Sequence, residues 1–522
     1  MFFPETSGIY TLHTKGAIIV SIQETENAFF EHMKKLSSFE QAMGLLHWDA
    51  RTHAPKKGSK ARSEALGYLA TEHFKLKTSS ETKAYTDALL ADHQQETLSP
   101  VTVAAAKTLQ KEYERAVNIP EDEFKEYSVL TAESESIWEE AKDNNDFEMF
   151  QPYLEKIVSF NRRFADYWGY ENHPYNALLE DYEPGMTVDK LDHLFGQLRE
   201  GLVPLVESVT SSSNQPDTSF LFHSFPKEKQ RAFSLDILQQ MTYDFEAGRL
   251  DETVHPFALG LNPNDVRVTT RYDENDFRTA IFGTIHEGGH ALYEQNISSH
   301  LHGTVLSDGA SMGIHESQSL FYENFVGRSL PFWEKNYDLL KSYAKGQFDD
   351  VSLETFYHAI NEAKPSLIRI EADELTYSLH IILRYELEKS LITGDLAVKD
   401  LPYAWKEKVE AYLGITPPDN SQGVLQDVHW PSGAFGYFPS YALGYIYAAQ
   451  LKQAMLRDVP AFDKLCQNGD LAPIRTWLRD NVHQYGRMKN PEDILKDATG
   501  ESINPTYLLT YLQTKYTNLY KA

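Results

Sequence analysis

Apolar residues recur at three- and four-residue spacing along most of this chain, the pattern of helices that bury one face. The spacing predicts helices at 24–52, 60–74, 80–93, 100–117, 121–143, 147–168, 187–212 and 226–244. Proline and glycine mark their ends, as at Asn118-Ile119-Pro120 and Glu183-Pro184-Gly185. After residue 245 the texture changes. Residues 255–263 contain Pro256, Gly260 and Pro263 and cannot form a regular helix. Residues 265–272 alternate and carry β-branched side chains, which predicts a strand. A further candidate strand pair lies at 301–313, broken by Gly303 and Gly309. Helical spacing resumes at 314–345, 352–363, 366–393, 400–413, 440–456 and 471–483. The expected class is mainly α: one large helical domain over 21–522, with a mostly helical half at 21–245 and a second half at 246–522. A small sheet should flank a central helix, near 276–293, on both sides in sequence. Residues 1–20 lack helical periodicity and read as an upstream extension or a disordered tail.

Composition narrows the function. A chain of 522 residues, 41% hydrophobic, can bury a large core. Its formal net charge of -27 repels nucleic acid and anionic membrane, so neither is an expected partner. The single cysteine, Cys466, excludes an intrachain disulfide and a cysteine-based zinc site. Any metal must therefore sit on His, Asp or Glu. No stretch approaches the ~18 apolar residues of a membrane span, and the early run Ala17-Ile18-Ile19-Val20 is too short for a signal-peptide core. A cytoplasmic location is the expectation.

The central predicted helix carries the chemistry. His286-Glu287-Gly288-Gly289-His290 places two imidazoles four residues apart, on one helical face, where both reach one metal ion. Glu287 projects beside that ion, where a base must sit to take a proton from water held by the metal. The approach begins with Asp276, a capping residue, and Ile281, Phe282, Ile285, Leu292 and Tyr293 give the helix apolar surface to bury. Gly288 and Gly289 each cost about 1 kcal/mol against alanine inside a helix. Their missing side chains would let another backbone, or a substrate, lie close to the metal face. The third ligand should come from a distant helix. Glu316, in Ile314-His315-Glu316-Ser317-Gln318, starts a helical stretch with apolar Leu320, Phe321 and Phe325. His286, His290 and Glu316 would form a three-ligand site with one open position, the arrangement of catalytic zinc. Glu323, two turns on, is placed to orient a ligand imidazole, whereas His315 reads as a packing or hydrogen-bonding residue.

Taken together, these motifs resemble the M32 family of metallocarboxypeptidases. Further stretches agree in order: His255-Pro256-Phe257, Asp265-Val266-Arg267-Val268-Thr269, Ile368-Arg369-Ile370-Glu371-Ala372-Asp373 and Gly423-Val424-Leu425-Gln426-Asp427-Val428-His429-Trp430. His47-Trp48-Asp49-Ala50 and Tyr437-Phe438-Pro439-Ser440-Tyr441 are also similar, so the likeness spans residue 25 to the C-terminus. One departure is Ala54-Pro55, where the family usually has Met-Pro. The resemblance implies a bilobed helical fold around a deep groove, a zinc ion that cobalt can replace in some members, and release of single C-terminal residues. It also implies a homodimer with broad specificity for short peptides.

Roles for the remaining motif residues follow. Glu287 is the expected base. His429 and Tyr437, in a glycine- and aromatic-rich loop, are candidate donors to the developing oxyanion, and Gln426-Asp427 is placed to orient His429. A C-terminal exopeptidase must grip a free carboxylate, best done by arginine. Arg369, flanked by Ile368 and Ile370 in a predicted apolar helix, is the first candidate. Arg267, on the predicted strand, is the second, and His255 is a candidate to line the groove. The strand at 265–272 could also pair with an extended substrate. The competing function is a zinc oligoendopeptidase or dipeptidyl carboxypeptidase, alike in metal chemistry and different in its carboxylate clamp and groove length. Intact His286, Glu287, His290 and Glu316 argue against a non-enzymatic scaffold.

Overall fold

A computed structural model describes residues 21–91, 95–344 and 346–522; the extension or tail expected at 1–20 lies outside them. The chain divides into two compact units. The first runs through Asn118 and adds Ser299–Asp308; the second comprises Ile119–Ser298 and Gly309–Ala522. In the first, helices Ile22–Thr52, Ser59–Lys77, Ser80–Leu89 and Pro100–Val117 follow one another. Ser21 and Glu24 start this unit with reciprocal caps, 2.8 and 3.2 Å long, which satisfy two otherwise orphaned N–H groups. The candidate chemistry belongs to the second unit.

That unit is mainly helical, with one small sheet. Strands β1 (Leu250–Glu252), β2 (Ala258–Asn262) and β3 (Asp265–Thr270) are ordered β1-β3-β2. β1 runs parallel to β3, Leu250 opposite Val268; β2 runs antiparallel to it, Ala258 opposite Val268 and Gly260 opposite Val266. β3 is thus central, and its Val266 and Val268 are fully buried. Thr270 Oγ1 donates to the Ala280 carbonyl at 3.1 Å, tying β3 to the helix Arg278–Gln295 that bears both histidines. Asp276 accepts the Arg278 N–H at 3.1 Å and helps start that helix.

Three expectations need correction. All three strands precede the histidine helix, and none forms at 301–313. There, turns satisfy the backbone instead of a ladder: His302 bonds Ser299, Thr304 bonds Leu301, and Ala310 N–H donates to the Tyr293 hydroxyl at 2.9 Å. The stretch 366–393 is helical only from Tyr377 to Thr393. Asp373 accepts the N–H groups of Leu375 and Thr376 at 2.8 and 3.0 Å, a local cap that starts the helix late. Arg369 therefore lies in a short 3-10 turn, Arg369–Glu371, and not in an apolar helix; its neighbour Ile370 is exposed. Finally, 314–345 is three elements: an α-helix Met312–Leu320, a π-helical segment Phe321–Gly327, and a helix Leu330–Tyr343 capped by Ser329.

The glycine pair in the histidine helix has two different neighbours. A Cβ on Gly289 would lie 2.5 Å from the Gln318 carbonyl oxygen and 2.6 Å from Ser319 Cα, so a second helix backbone presses on it. A Cβ on Gly288 would meet only side-chain ends, Leu238 Cδ2 at 2.8 Å and Met241 Cε at 2.9 Å. Gly289→Ala should therefore cost about 1–3 kcal/mol, the range for overpacking. Gly288→Ala should cost less, because Met241 can yield and alanine regains about 1 kcal/mol of helix propensity. Urea unfolding of the two variants checks the order; equal midpoints would contradict it.

Candidate metal centre

Two buried helices meet at the glycine contact and bring three donor groups together. His286 and His290 stand one turn apart, ring centroids 5.0 Å from each other. Glu316, on the helix Met312–Leu320, faces them: its Oε2 lies 4.0 Å from His286 Nε2 and 3.7 Å from His290 Nε2. Glu316 is held there by a close helix crossing. A Cβ on Gly444, in the helix Pro439–Asp458, would come within 2.7 Å of Glu316 Cβ and Cγ. Among the described residues this is the one group of three or more His, Cys, Asp or Glu able to hold a metal, its donor atoms all within 4.8 Å of one another. Bonds of roughly 2.0–2.2 Å place tetrahedral donors about 3.4 Å apart, so a small inward shift closes the set.

Each imidazole presents Nε2 because its Nδ1 is engaged elsewhere. His286 Nδ1 lies 2.9 Å from Glu323 Oε2, and Arg328 Nη2 donates to the other Glu323 oxygen at 3.0 Å. The π-helical segment carries Glu323 to this position. His290 Nδ1 is 2.6 Å from His315 Nδ1, and His315 Nε2 is 3.1 Å from Glu294 Oε1. One set of neutral tautomers satisfies this chain: His290 donates from Nδ1, and His315 accepts there and donates from Nε2 to Glu294. His315 thus supports a ligand and does not join the set. Glu294 and Arg328 are absent from the sequence reading, although Glu294 follows His290 by one helical turn.

The electrostatics call for a cation. Arg328 offsets Glu323, which leaves the carboxyl groups of Glu287 and Glu316 facing two imidazoles, where a divalent ion would offset their charge. Burial alone would lower the His286 pKa, but Glu323, Glu316 and Glu287 raise it to about 10. A proton there takes the place a metal would hold. Burial raises Glu287 to about 7, against the pull of His286 and of an N–H bond from Ala258. Burial would also raise Glu323, yet His286 and Arg328 hold it down at about 2.

Beside this group lies a second buried network. Arg369 donates from Nε and Nη2 to Asp427 at 3.2 and 3.0 Å, and Gln426 accepts its backbone N–H at 2.8 Å. Arg384 also donates to Asp427, at 3.2 Å, and reaches Glu388, which accepts from Tyr175, Trp430 and the Gly436 N–H. The two arginines and two carboxylates balance. They fasten the irregular 423–438 loop, whose carbonyls at Leu425 and Gln426 accept from Trp138 and Lys142. Burial would raise the Asp427 pKa, but Arg369 and Arg384 hold it far below the usual carboxylate range. On the same loop His429 is kept neutral: burial first, then Arg384, lower it to about 3.

His429 and Tyr437 are brought together with a residue the sequence did not single out, Tyr441. His429 Nε2 is 3.3 Å from the Tyr441 hydroxyl, and Tyr441 in turn hydrogen-bonds Tyr437. Burial first, then the charges of Glu316 and Glu287, raise the Tyr437 pKa, so its hydroxyl is electrostatically coupled to the metal group. His429 thus stands one hydrogen bond behind, with its Nδ1 3.9 Å from Asp427. Arg369 is electrostatically coupled to Glu316 and stacks over Tyr441 and Phe438. Arg267, by contrast, is clamped to Asp265 by two bonds of 2.7 and 2.8 Å on β3. His255 is exposed in the bend before β2.

Comparison with known proteins identifies the family. Residues 28–516 match the model of the carboxypeptidase Taq (M32) metallopeptidase family. Carboxypeptidase 1 of Bacillus subtilis is 56% identical over 96% of this chain and all of its own length. Thermostable carboxypeptidase 1 of Thermus thermophilus is 42% identical over 91% of this chain and 95% of its own. The crystal structure of an M32 carboxypeptidase from Deinococcus radiodurans R1 superposes with a TM-score of 0.92 at 36% identity, covering 95% of this chain and 100% of that one. With the family model spanning nearly the whole chain, this protein belongs to the M32 family and is a metallocarboxypeptidase, a peptide hydrolase.

Proposed function

We propose that the metal is zinc and that the enzyme releases single C-terminal residues, with broad specificity, from short peptides. The observation that carries this is the His286, His290 and Glu316 donor set with Glu287 beside it and a buried arginine, Arg369, close by. Two imidazoles and one carboxylate without cysteine form a nitrogen and oxygen set suited to catalytic zinc. Zinc held there would polarise the scissile carbonyl and make a water easier to deprotonate. Glu287 takes that water's proton and later delivers it to the leaving amine. With Tyr441 as donor to Tyr437, the Tyr437 proton is free to point at the carbonyl oxygen as negative charge develops. His429 acts through Tyr441 as the anchor of this pair.

Arg369 grips the substrate carboxylate. Its Nε edge serves Asp427, and among the described residues Nη1 remains unengaged and available to a ligand. Arg267 is the second candidate, already spent on Asp265. A clamp on the terminal carboxylate reads backbone and not side chain, which supports broad specificity. β3 has a partner on each side and cannot take a substrate strand; β1 and β2 are the two edges, and β2 is the one whose Ala258 N–H already reaches Glu287. An extended peptide therefore runs along β2, with His255 near its entry. No helix among the described residues is long and apolar enough to cross a membrane. A homodimer is the assembly the resemblance implies, and a cytoplasmic location is our proposal from the sequence.

Product analysis on an N-blocked short peptide tests the cut. The free acid should lose one residue at a time and its C-terminal amide should resist; release of dipeptides would favour the dipeptidyl alternative. Arg369→Ala should collapse the acid-to-amide ratio in kcat/KM by about 2–3 kcal/mol, the worth of a charged hydrogen bond, whereas mere damage to the loop would lower both substrates equally. Glu287→Gln should retain the metal and lose about 10²–10⁴ in kcat. A base must be unprotonated, so kcat/KM should fall as pH drops through the Glu287 pKa, about 7 without metal and lower once a cation is bound. An acid limb above that value would contradict the assignment.

A further inference from the structure

Glu183 is wholly buried, 1% exposed, and takes no part in the chemistry described. It sits in a tight turn, Glu183 N–H bonding the Leu179 carbonyl at 2.7 Å and Met186 N–H bonding the Glu183 carbonyl at 3.1 Å. Its carboxylate faces the start of the helix that carries Glu316. Gly313 N–H donates to Oε2 at 3.0 Å and the Tyr447 hydroxyl donates to Oε1 at 2.7 Å. The Ser311 hydroxyl also donates to it, while accepting the Ile314 N–H at 3.0 Å. One residue earlier, the Tyr182 carbonyl accepts the Met312 N–H at 2.9 Å. Three successive N–H groups of this helix, Met312, Gly313 and Ile314, are thereby held by Tyr182, Glu183 and Ser311.

The fit is tight on both sides. A Cβ on Gly313 would meet Glu183 Oε2 at 2.5 Å and Tyr447 Cε2 at 3.1 Å. Tyr447 lies one turn beyond Gly444, the residue on which the stem of Glu316 rests. The helix is thus fixed along its axis by Glu183 and sideways by Gly444. We propose that Glu183 is a positioning residue for Glu316, setting where the third ligand meets the two imidazoles. This rests on the reading that Glu316 binds the metal.

Two further observations favour a role in the site over simple core filling. All donors to Glu183 are neutral, so its ionised form has no countercharge, a cost that a neutral side chain would avoid. Burial, against the pull of Tyr447, Ser311 and Gly313, raises its pKa to about 7. A carboxylate at a helix N-terminus interacts with the helix dipole and grips it more firmly than a neutral cap. The same turn also reaches the other side of the centre, since the Tyr182 ring packs edge-on against Tyr437, centroids 5.2 Å apart. Glu183 and Tyr447 line a cavity of about 240 Å³ with Met186, Leu194 and Leu495, which gives the turn room to shift once the carboxylate is gone.

The test uses the full chain and separates ligand placement from stability. Zinc affinity is measured by chelator competition, and thermal unfolding is followed on the metal-free protein. Glu183→Ala should weaken zinc binding by about 10–100-fold, the range for groups that support a ligand. Glu183→Gln should recover part of the loss, because its amide can accept from Gly313 and donate to Tyr447 but lacks the carboxylate's pull on the helix N-terminus. Tyr447→Phe, which removes one hydrogen bond and should fold even if the alanine variant does not, should weaken binding by a smaller factor. A lower Tm with wild-type zinc affinity in Glu183→Ala, or unchanged affinity in Tyr447→Phe where alanine fails to fold, would overturn the proposal. Glu316→Ala run in parallel isolates the premise: if it too binds zinc as wild type, the ligand assignment itself fails.

Discussion

Two half-buried imidazoles aim the same nitrogen at one point because each is gripped by its other nitrogen. Glu323, braced by Arg328, holds His286; His315, braced by Glu294, holds His290. Without these bonds either ring could turn, and the Nε2 atoms would not converge on Glu316. Charge imposes a second condition. Glu287 and Glu316 cannot both stay ionised in a buried place without a cation, and in the metal-free state a proton on His286 partly serves. A metal ion held there would take the place of that proton.

The backbone makes this convergence possible through glycines placed at two contacts. Gly289 lets the Gln318–Ser319 backbone lie against the histidine helix, and Gly444 lets the stem of Glu316 lie against the helix Pro439–Asp458. The helix carrying Glu316 is wedged between two others at distances no larger residue allows. Its continuation as a π-helical segment then turns Glu323 toward His286. The irregular 423–438 loop achieves its own rigidity differently, by burying Arg369, Arg384, Asp427 and Glu388 as a balanced set. One part of the site is held by close packing and the other by paired charge.

How much of this was legible in the sequence depended on the range of each interaction. Helix spacing is local, so most helices and the pair His286 and His290 could be read directly. Glu316 was legible because its motif combines a carboxylate with buried helical spacing. The strand pair expected at 301–313 was not there, because turn bonds and the Tyr293 hydroxyl satisfied its backbone. Arg369 was assigned to a helix because Ile368 and Ile370 suggest one; the side chain of Asp373 decided otherwise. Glu183 acts through Gly313 and Arg384 through Asp427, partners far away in sequence that no local pattern announces, whereas Tyr441 stands only four residues from Tyr437.

The most direct measurement is anomalous diffraction at the zinc edge from crystals of the metal-loaded enzyme. One peak per chain is predicted, bonded to Nε2 of His286, Nε2 of His290 and a carboxylate oxygen of Glu316, with Glu287 adjacent and not ligating. A peak elsewhere, or one that the Glu316 carboxylate does not reach, would contradict the account.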